Sequence, residues 1–152
     1  MQTILGAGGQ IANELAVFIN RNYTDEVRLV SRNPRKVNDT DQPFQANLLD
    51  PEQTRQAVEG SDVAYLTVGL PMDTDLWVRR WPIFMRNTIE ACSKHNCKLV
   101  FFDNTYMYPQ TEEPQTEQTR FAPNGEKGRV RSEIIRELLD VIEQGKLQAL
   151  TF

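Results

Sequence analysis

Three glycines, Gly6, Gly8 and Gly9, crowd into four positions between the apolar run Thr3–Leu5 and a stretch whose apolar residues recur at helical spacing. Glycine tolerates a positive φ and lets a backbone approach a ligand closely. The first N–H groups of a helix, together with its dipole, attract an anion. Glycines at that junction can therefore cradle the linked phosphates of a dinucleotide. Spacing selects the variant. The signature G-x-G-x-x-G fails, because Ile11 stands where its third small residue belongs. The alternative G-x-x-G-x-x-[GA] fits Gly6, Gly9 and Ala12, and Ala12 is small enough to let the helix pack on the sheet. The other reading of the same residues is a tight turn without a ligand.

Other chemistry-bearing residues are sparse. Cys92 and Cys97 are separated by four residues and His95 is the only histidine, which is neither a redox C-x-x-C pair nor half a zinc site. Two buried thiols, one on a helix and one entering a strand, are the expectation, with no metal. Lys and Arg number 17 against 21 Asp and Glu, a net charge of −4 without a basic cluster, which argues against a nucleic-acid partner. The longest apolar runs, "AYLTVGL" and "KLVFF", are far shorter than a bilayer span. Met1 leads almost directly into the glycine turn without the regions of a signal peptide, so a cytoplasmic location is expected.

The elements that would position the turn alternate. The 152 residues, 39% hydrophobic and 25% charged, suit one domain spanning 1–152. Thr3–Leu5 predicts a strand, and Ile11, Leu15, Phe18 and Ile19 a helix to about Asn22. Glu26–Ser31 predicts a second strand, followed by a brief apolar patch near Phe44. Asp50-Pro51-Glu52-Gln53 reads as a helix start, with Asp50 capping and Gln53 reaching back, and Gly60 as its end. Asp62–Val68 predicts a strand buried on both faces. Trp77, Trp81, Phe84, Met85, Thr88, Ile89 and Cys92 share one face of the longest helix, as a core or subunit-interface stripe. Lys98–Asp103 predicts another strand, then a polar loop of about twenty residues, long enough to suggest a lid or disorder. Val130, Ile134, Leu138, Val141 and Ile142 mark a last helix, and "LQALTF" opens a final strand. Such alternation predicts an α/β, Rossmann-type, doubly wound parallel sheet with helices on both faces.

Five segments in this order resemble the N-terminal portion of an extended or atypical short-chain dehydrogenase/reductase, in the NAD-dependent epimerase/dehydratase family. They are "GAGGQIA", "ANLLD" (Ala46 to Asp50), "GSDVAYLTVG" (Gly60 to Gly69), "LVFFDNTYMYP" (Leu99 to Pro109) and "TEQTRFAPNGEKGRVRSE". The resemblance implies a nicotinamide dinucleotide held by Gly6, Gly9, Gln10, Ile11, Ser31, Arg32, Asn47, Leu48, Val68 and Gly69. NAD-preferring relatives carry an acidic residue at the end of the second strand. This chain has Ser31-Arg32-Asn33 there, with Arg35 and Lys36 nearby. Arg32 would suit the ribose phosphate of NADP. As a surface charge, or stacked on adenine, it would suit NAD as well.

The resemblance also implies three catalytic positions, occupied here by Asn104 in place of Ser or Thr, and by Lys127 and Arg131 in place of Tyr-x-x-x-Lys. Arg131 could hydrogen-bond the nicotinamide ribose but not lose a proton. Lys127 would act as a base only in a buried site, and otherwise reads as a surface lysine. Tyr106 or Tyr108 could supply a displaced acid, or simply pack. The implied activity is hydride transfer on a carbonyl or hydroxyl of a small-molecule substrate. A non-catalytic NADP-binding redox sensor or regulator is the alternative, and a homodimer through the helices around Trp77–Cys92 and Lys127–Glu143 is implied. The family continues well past the sixth strand, so a fragment lacking the substrate-binding part is expected.

Overall fold

The structure is a computed structural model that describes residues 1–116 and 118–152. Glu117, in the segment before the last helix, lies outside the described residues.

The chain runs β1 (Gln2–Leu5), α1 (Gln10–Asn22), β2 (Val27–Ser31), β3 (Gln42–Gln45), α2 (Pro51–Val58), β4 (Val63–Leu66), α3 (Thr74–His95), β5 (Lys98–Phe101), α4 (Gly125–Glu143) and β6 (Ala149–Thr151). All neighbouring strands are parallel, in the order β3-β2-β1-β4-β5-β6. Strand order reverses at β1, and the crevice outside the carboxyl ends of β1 and β4 is where an open α/β sheet binds its ligand. The patch near Phe44 is itself the edge strand β3, paired to β2 with Val30 opposite Phe44.

Two apolar layers flank the sheet, and they are unequal. Ile4, Val27 and Leu29 pack against Ala12, Ala16 and Ile19 of α1. On the other face Leu5, Val30, Leu66 and Phe101 meet α2, α3 and α4 in a larger core. Among the described residues only α1 covers the first face, so Val63 and Tyr65 of β4 stay half-buried while Ala64 and Leu66 are sealed. That corrects the expectation of a β4 buried on both sides: the run is apolar, but among the described residues the face of Val63 and Tyr65 is only partly covered. Ile11 and Phe18 likewise stay exposed on α1, and the small residues Ala12 and Ala16 make the seam. The aromatic stripe of α3 is core, with Trp81 1% exposed and Met85 and Cys92 fully enclosed.

Helix starts follow the local chemistry. Asp50 Oδ1 accepts the Gln53 N–H at 3.0 Å, with Pro51 in the first turn. The Gln53 side chain reaches back: its Nε2 donates to Asp50 Oδ2 at 3.1 Å, and its Oε1 accepts the Asn47 N–H at 2.9 Å, which fixes the β3–α2 loop. Asp73 caps α3 through the Leu76 N–H at 2.8 Å.

Candidate functional site

The glycine turn is built by the sheet before any ligand is considered. Gly6 and Ala7 both donate to the Val30 carbonyl, at 3.0 and 2.9 Å, which bends the chain over the end of β2. Gly6 has a φ of 102°, and a Cβ there would lie 2.7 Å from the Val68 nitrogen. The protein's own backbone therefore requires this glycine. Gly9 differs. Its φ of −82° suits any residue, and a Cβ there would meet nothing within 4 Å. Nothing in the fold demands a missing side chain at Gly9, so a ligand approaching the turn is what would demand it.

Gly9 is also the N-cap of α1. It supplies no capping side chain, and the first turn carries no acidic residue. The leading N–H groups of α1 and its positive dipole end thus face outward, available to an anion. They open into a cleft of about 620 Å³, a size suited to a small organic ligand. Gly6, Gly9, Gln10 and Ile11 line it from the turn, Ser31 and Arg32 from the end of β2. Asn47 and Leu48 line it from the β3–α2 loop, and Val68 and Gly69 from the end of β4. All ten residues implied for the nucleotide are thus brought to one cleft. Asn87 on α3 props the loop wall by donating to the Leu48 carbonyl at 3.0 Å.

Arg80 and Phe84 of α3 also line the cleft. Phe84 belongs to the apolar stripe of α3, and Arg80 lies beside that stripe, next to Trp81. Of the cations near β2, Lys36 is committed to the Asp39 carbonyl at 2.7 Å, whereas Arg32 lines the cleft.

The three implied catalytic residues lie outside that lining. Asn104 Oδ1 accepts the Tyr106 N–H at 3.1 Å, closing a local turn. Lys127 is half-buried, and its Nζ donates to the Met72 carbonyl at 3.0 Å. Arg131 is 3% exposed and its Nε lies 3.0 Å from Asp103 Oδ1. Trp77 stands among them. Its ring centroid is 5.7 Å from Lys127 Nζ, 5.3 Å from Arg131 Cζ and 5.7 Å from the Tyr106 ring, and its Nε1 donates to the Pro71 carbonyl at 2.8 Å. Gly128 permits this closure, since a Cβ there would lie 2.4 Å from the Tyr106 carbonyl oxygen.

Burial governs the ion pair. Asp103 is pushed up to about 6 by desolvation, against the opposing pull of Arg131. Desolvation also brings Arg131 down to about 10, so it keeps its charge at neutral pH. Asp103 was missed in the sequence. Its signal was a single carboxylate closing the apolar run Leu99–Phe102, facing an arginine that also sits among apolar residues.

No helix among the described residues is long and apolar enough to cross a membrane, and no cluster among them could hold a metal ion. A family described as NAD(P)H-binding matches residues 6–140. Comparison with curated proteins finds no match. Among solved structures, uronate dehydrogenase from Agrobacterium tumefaciens superposes with a TM-score of 0.85 at 16% identity, over 97% of this chain and 57% of that one. The glucuronic acid dehydrogenase of Chromohalobacter salexigens gives 0.85 at 13% identity, over 97% and 57%. The UDP-glucose 4-epimerase of Thermus thermophilus, solved with NAD, gives 0.81 at 15% identity, over 99% and 54%. The chain thus spans little more than half the length of these structures. It belongs to the NAD(P)H-binding family, on a fold shared with short-chain dehydrogenases and epimerases.

Proposed function

We propose that the cleft binds NADP, with its linked phosphates at the first turn of α1 and its ribose phosphate near Arg32. We propose further that the whole protein is an oxidoreductase or epimerase acting on a carbonyl or hydroxyl carbon of a small-molecule substrate. When bound, the coenzyme supplies hydride chemistry; the residues of this chain bind and orient it. The observation that carries the reading is Gly9: an uncapped helix start opening on a cleft, with space for a side chain that the fold leaves unused. Arg32 on the cleft wall, with no acidic residue at the end of β2, favours NADP over NAD. A cytoplasmic location and a homodimer belong to the same reading. Val78, Ile83 and Leu139, exposed on α3 and α4, would serve that contact.

One observation favours a second reading, a coenzyme-binding sensor without turnover. Arg131 is held by Asp103 beneath Trp81, and Lys127 is engaged with Met72, so neither lines the cleft. Fluorescence titration with NADPH and NADH tests binding, with Gly9→Ala as the control that should bind at least tenfold more weakly while folding normally. A reductase assay on the complete protein then separates the two readings. Absence of binding to either coenzyme overturns both.

A further inference from the structure

The opposite edge of the sheet carries a feature that the nucleotide cleft does not use. Helix α3 ends on Asn96, whose φ of 51° places it in the left-handed region. Asn96 N–H donates to the Ser93 carbonyl at 3.4 Å, and Cys97 N–H to the Cys92 carbonyl at 2.9 Å. This pair of bonds is the Schellman closure, in which the side chains four residues before the left-handed residue and one after it pack together. That contact is ordinarily filled by two hydrophobic residues. Here it is filled by two cysteines, Cys92 and Cys97, which the spacing in sequence alone would not suggest.

The two thiols are unequal. The neighbouring Cys97 sulfur, together with burial, raises Cys92. The same neighbour lowers Cys97, whose own Sγ–H donates to the Lys98 carbonyl at 3.5 Å. Both residues are almost wholly enclosed by protein, at 0% and 1% exposed, yet both line a cavity of about 770 Å³ between the starts of β4, β5 and β6. Ser93, His95, Lys98 and Lys146 share that lining.

We propose that Cys92 and Cys97 are a reversible redox pair, closed to a disulfide by hydrogen peroxide entering this cavity. The Cys97 thiolate attacks one peroxide oxygen, the O–O bond breaks, and hydroxide leaves and takes up a proton as water. Cys97 is then a sulfenic acid. The sulfur of Cys92 attacks that of Cys97; an S–S bond forms, the S–O bond breaks, and a second water leaves with the Cys92 proton. The thiols lose two electrons and two protons, and the peroxide is reduced to water. The product staples the last turn of α3 to the residue before β5, and an external dithiol restores it.

The test treats the reduced, folded protein with limiting hydrogen peroxide, then counts alkylatable thiols and maps the peptides by mass spectrometry. The expected result is loss of both thiols together, a Cys92–Cys97 linked peptide, and full recovery with dithiothreitol. In Cys92→Ala, where no resolving thiol remains, Cys97 should accumulate as a sulfenic acid that dimedone captures. Circular dichroism checks that this variant is folded. If it is not, wild-type peptide mapping decides alone. Both thiols remaining alkylatable after peroxide, or Cys97 passing to sulfinic acid without a linked peptide in the wild type, overturns the proposal.

Discussion

Arg131 Nε and Asp103 Oδ1 lie 3.0 Å apart, with both side chains no more than 4% exposed, and the Trp81 ring centroid lies 3.9 Å from the guanidinium carbon. The pair joins α4 to the end of β5 at the position where the family resemblance implies a lysine facing the coenzyme. The two charges meet without a well-aligned hydrogen bond: Asp103 Oδ1 and Oδ2 and Arg131 Nε and Nη1 have no hydrogen-bond partner among the described residues. A buried pair of this kind costs most when halved. Asp103→Ala should destabilise the domain by about 3–5 kcal/mol, because it strands a buried guanidinium. Replacing both with apolar residues of similar volume should cost far less, and urea unfolding of the three proteins measures the difference.

The pH dependence has a definite sign. Asp103 titrates near 6 in the folded chain, above its ordinary 3.8, because burial disfavours the carboxylate. The folded state therefore holds the proton more tightly than the unfolded one. The stability associated with this group is complete below the ordinary value and is lost as pH rises through about 6. The loss is at most about 3 kcal/mol across that window. Asp50 and Asp62, both lowered, act in the opposite sense, so the comparison must be with a variant. Asp103→Asn should remove the falling contribution, read as the difference in urea midpoint between the two proteins from pH 4 to 7.

Gly6 and Gly9 should separate folding from binding. Gly6→Ala forces a Cβ against the Val68 backbone at a φ of 102°, and should destabilise the protein by about 2 kcal/mol or more. Gly9→Ala meets nothing, and should leave the melting temperature unchanged while weakening coenzyme binding. Calorimetry and NADPH titration on the two variants check both halves.

Arg32→Ala should weaken NADPH binding by tenfold or more, about 1.4 kcal/mol, while leaving NADH binding nearly unchanged. Equal loss for both coenzymes would instead place Arg32 on the adenine face. Competition titrations with the two reduced coenzymes give the ratio directly.

Lys127 lies outside the cleft lining, so Lys127→Ala should leave coenzyme affinity intact. If the complete protein turns over substrate with this residue as acid or base, kcat should fall by about a hundredfold or more. An unchanged kcat would move the proton chemistry elsewhere.

Architecture and the location of the cleft were legible in the order of the residues. Strand and helix periods alternate, and a parallel sheet that begins with a glycine turn must place that turn at its carboxyl edge. Gly6, Gly9, Ser31, Arg32, Asn47 and Val68 were therefore legible as one cluster, because each follows a strand and strand ends converge. What one sequence could not show was the direction in which side chains far apart in the chain turn. Arg131 reads as a residue facing a ligand until the fold sets Asp103 beside it and Trp81 over it. Arg80 carries no signal of its own until α3 is laid along the cleft. Val63 and Tyr65 read as fully buried until a single helix is found on their face of the sheet. Local propensity and periodicity specify elements; ion pairing, burial and coverage are decided between elements, where only the tertiary structure holds the distances.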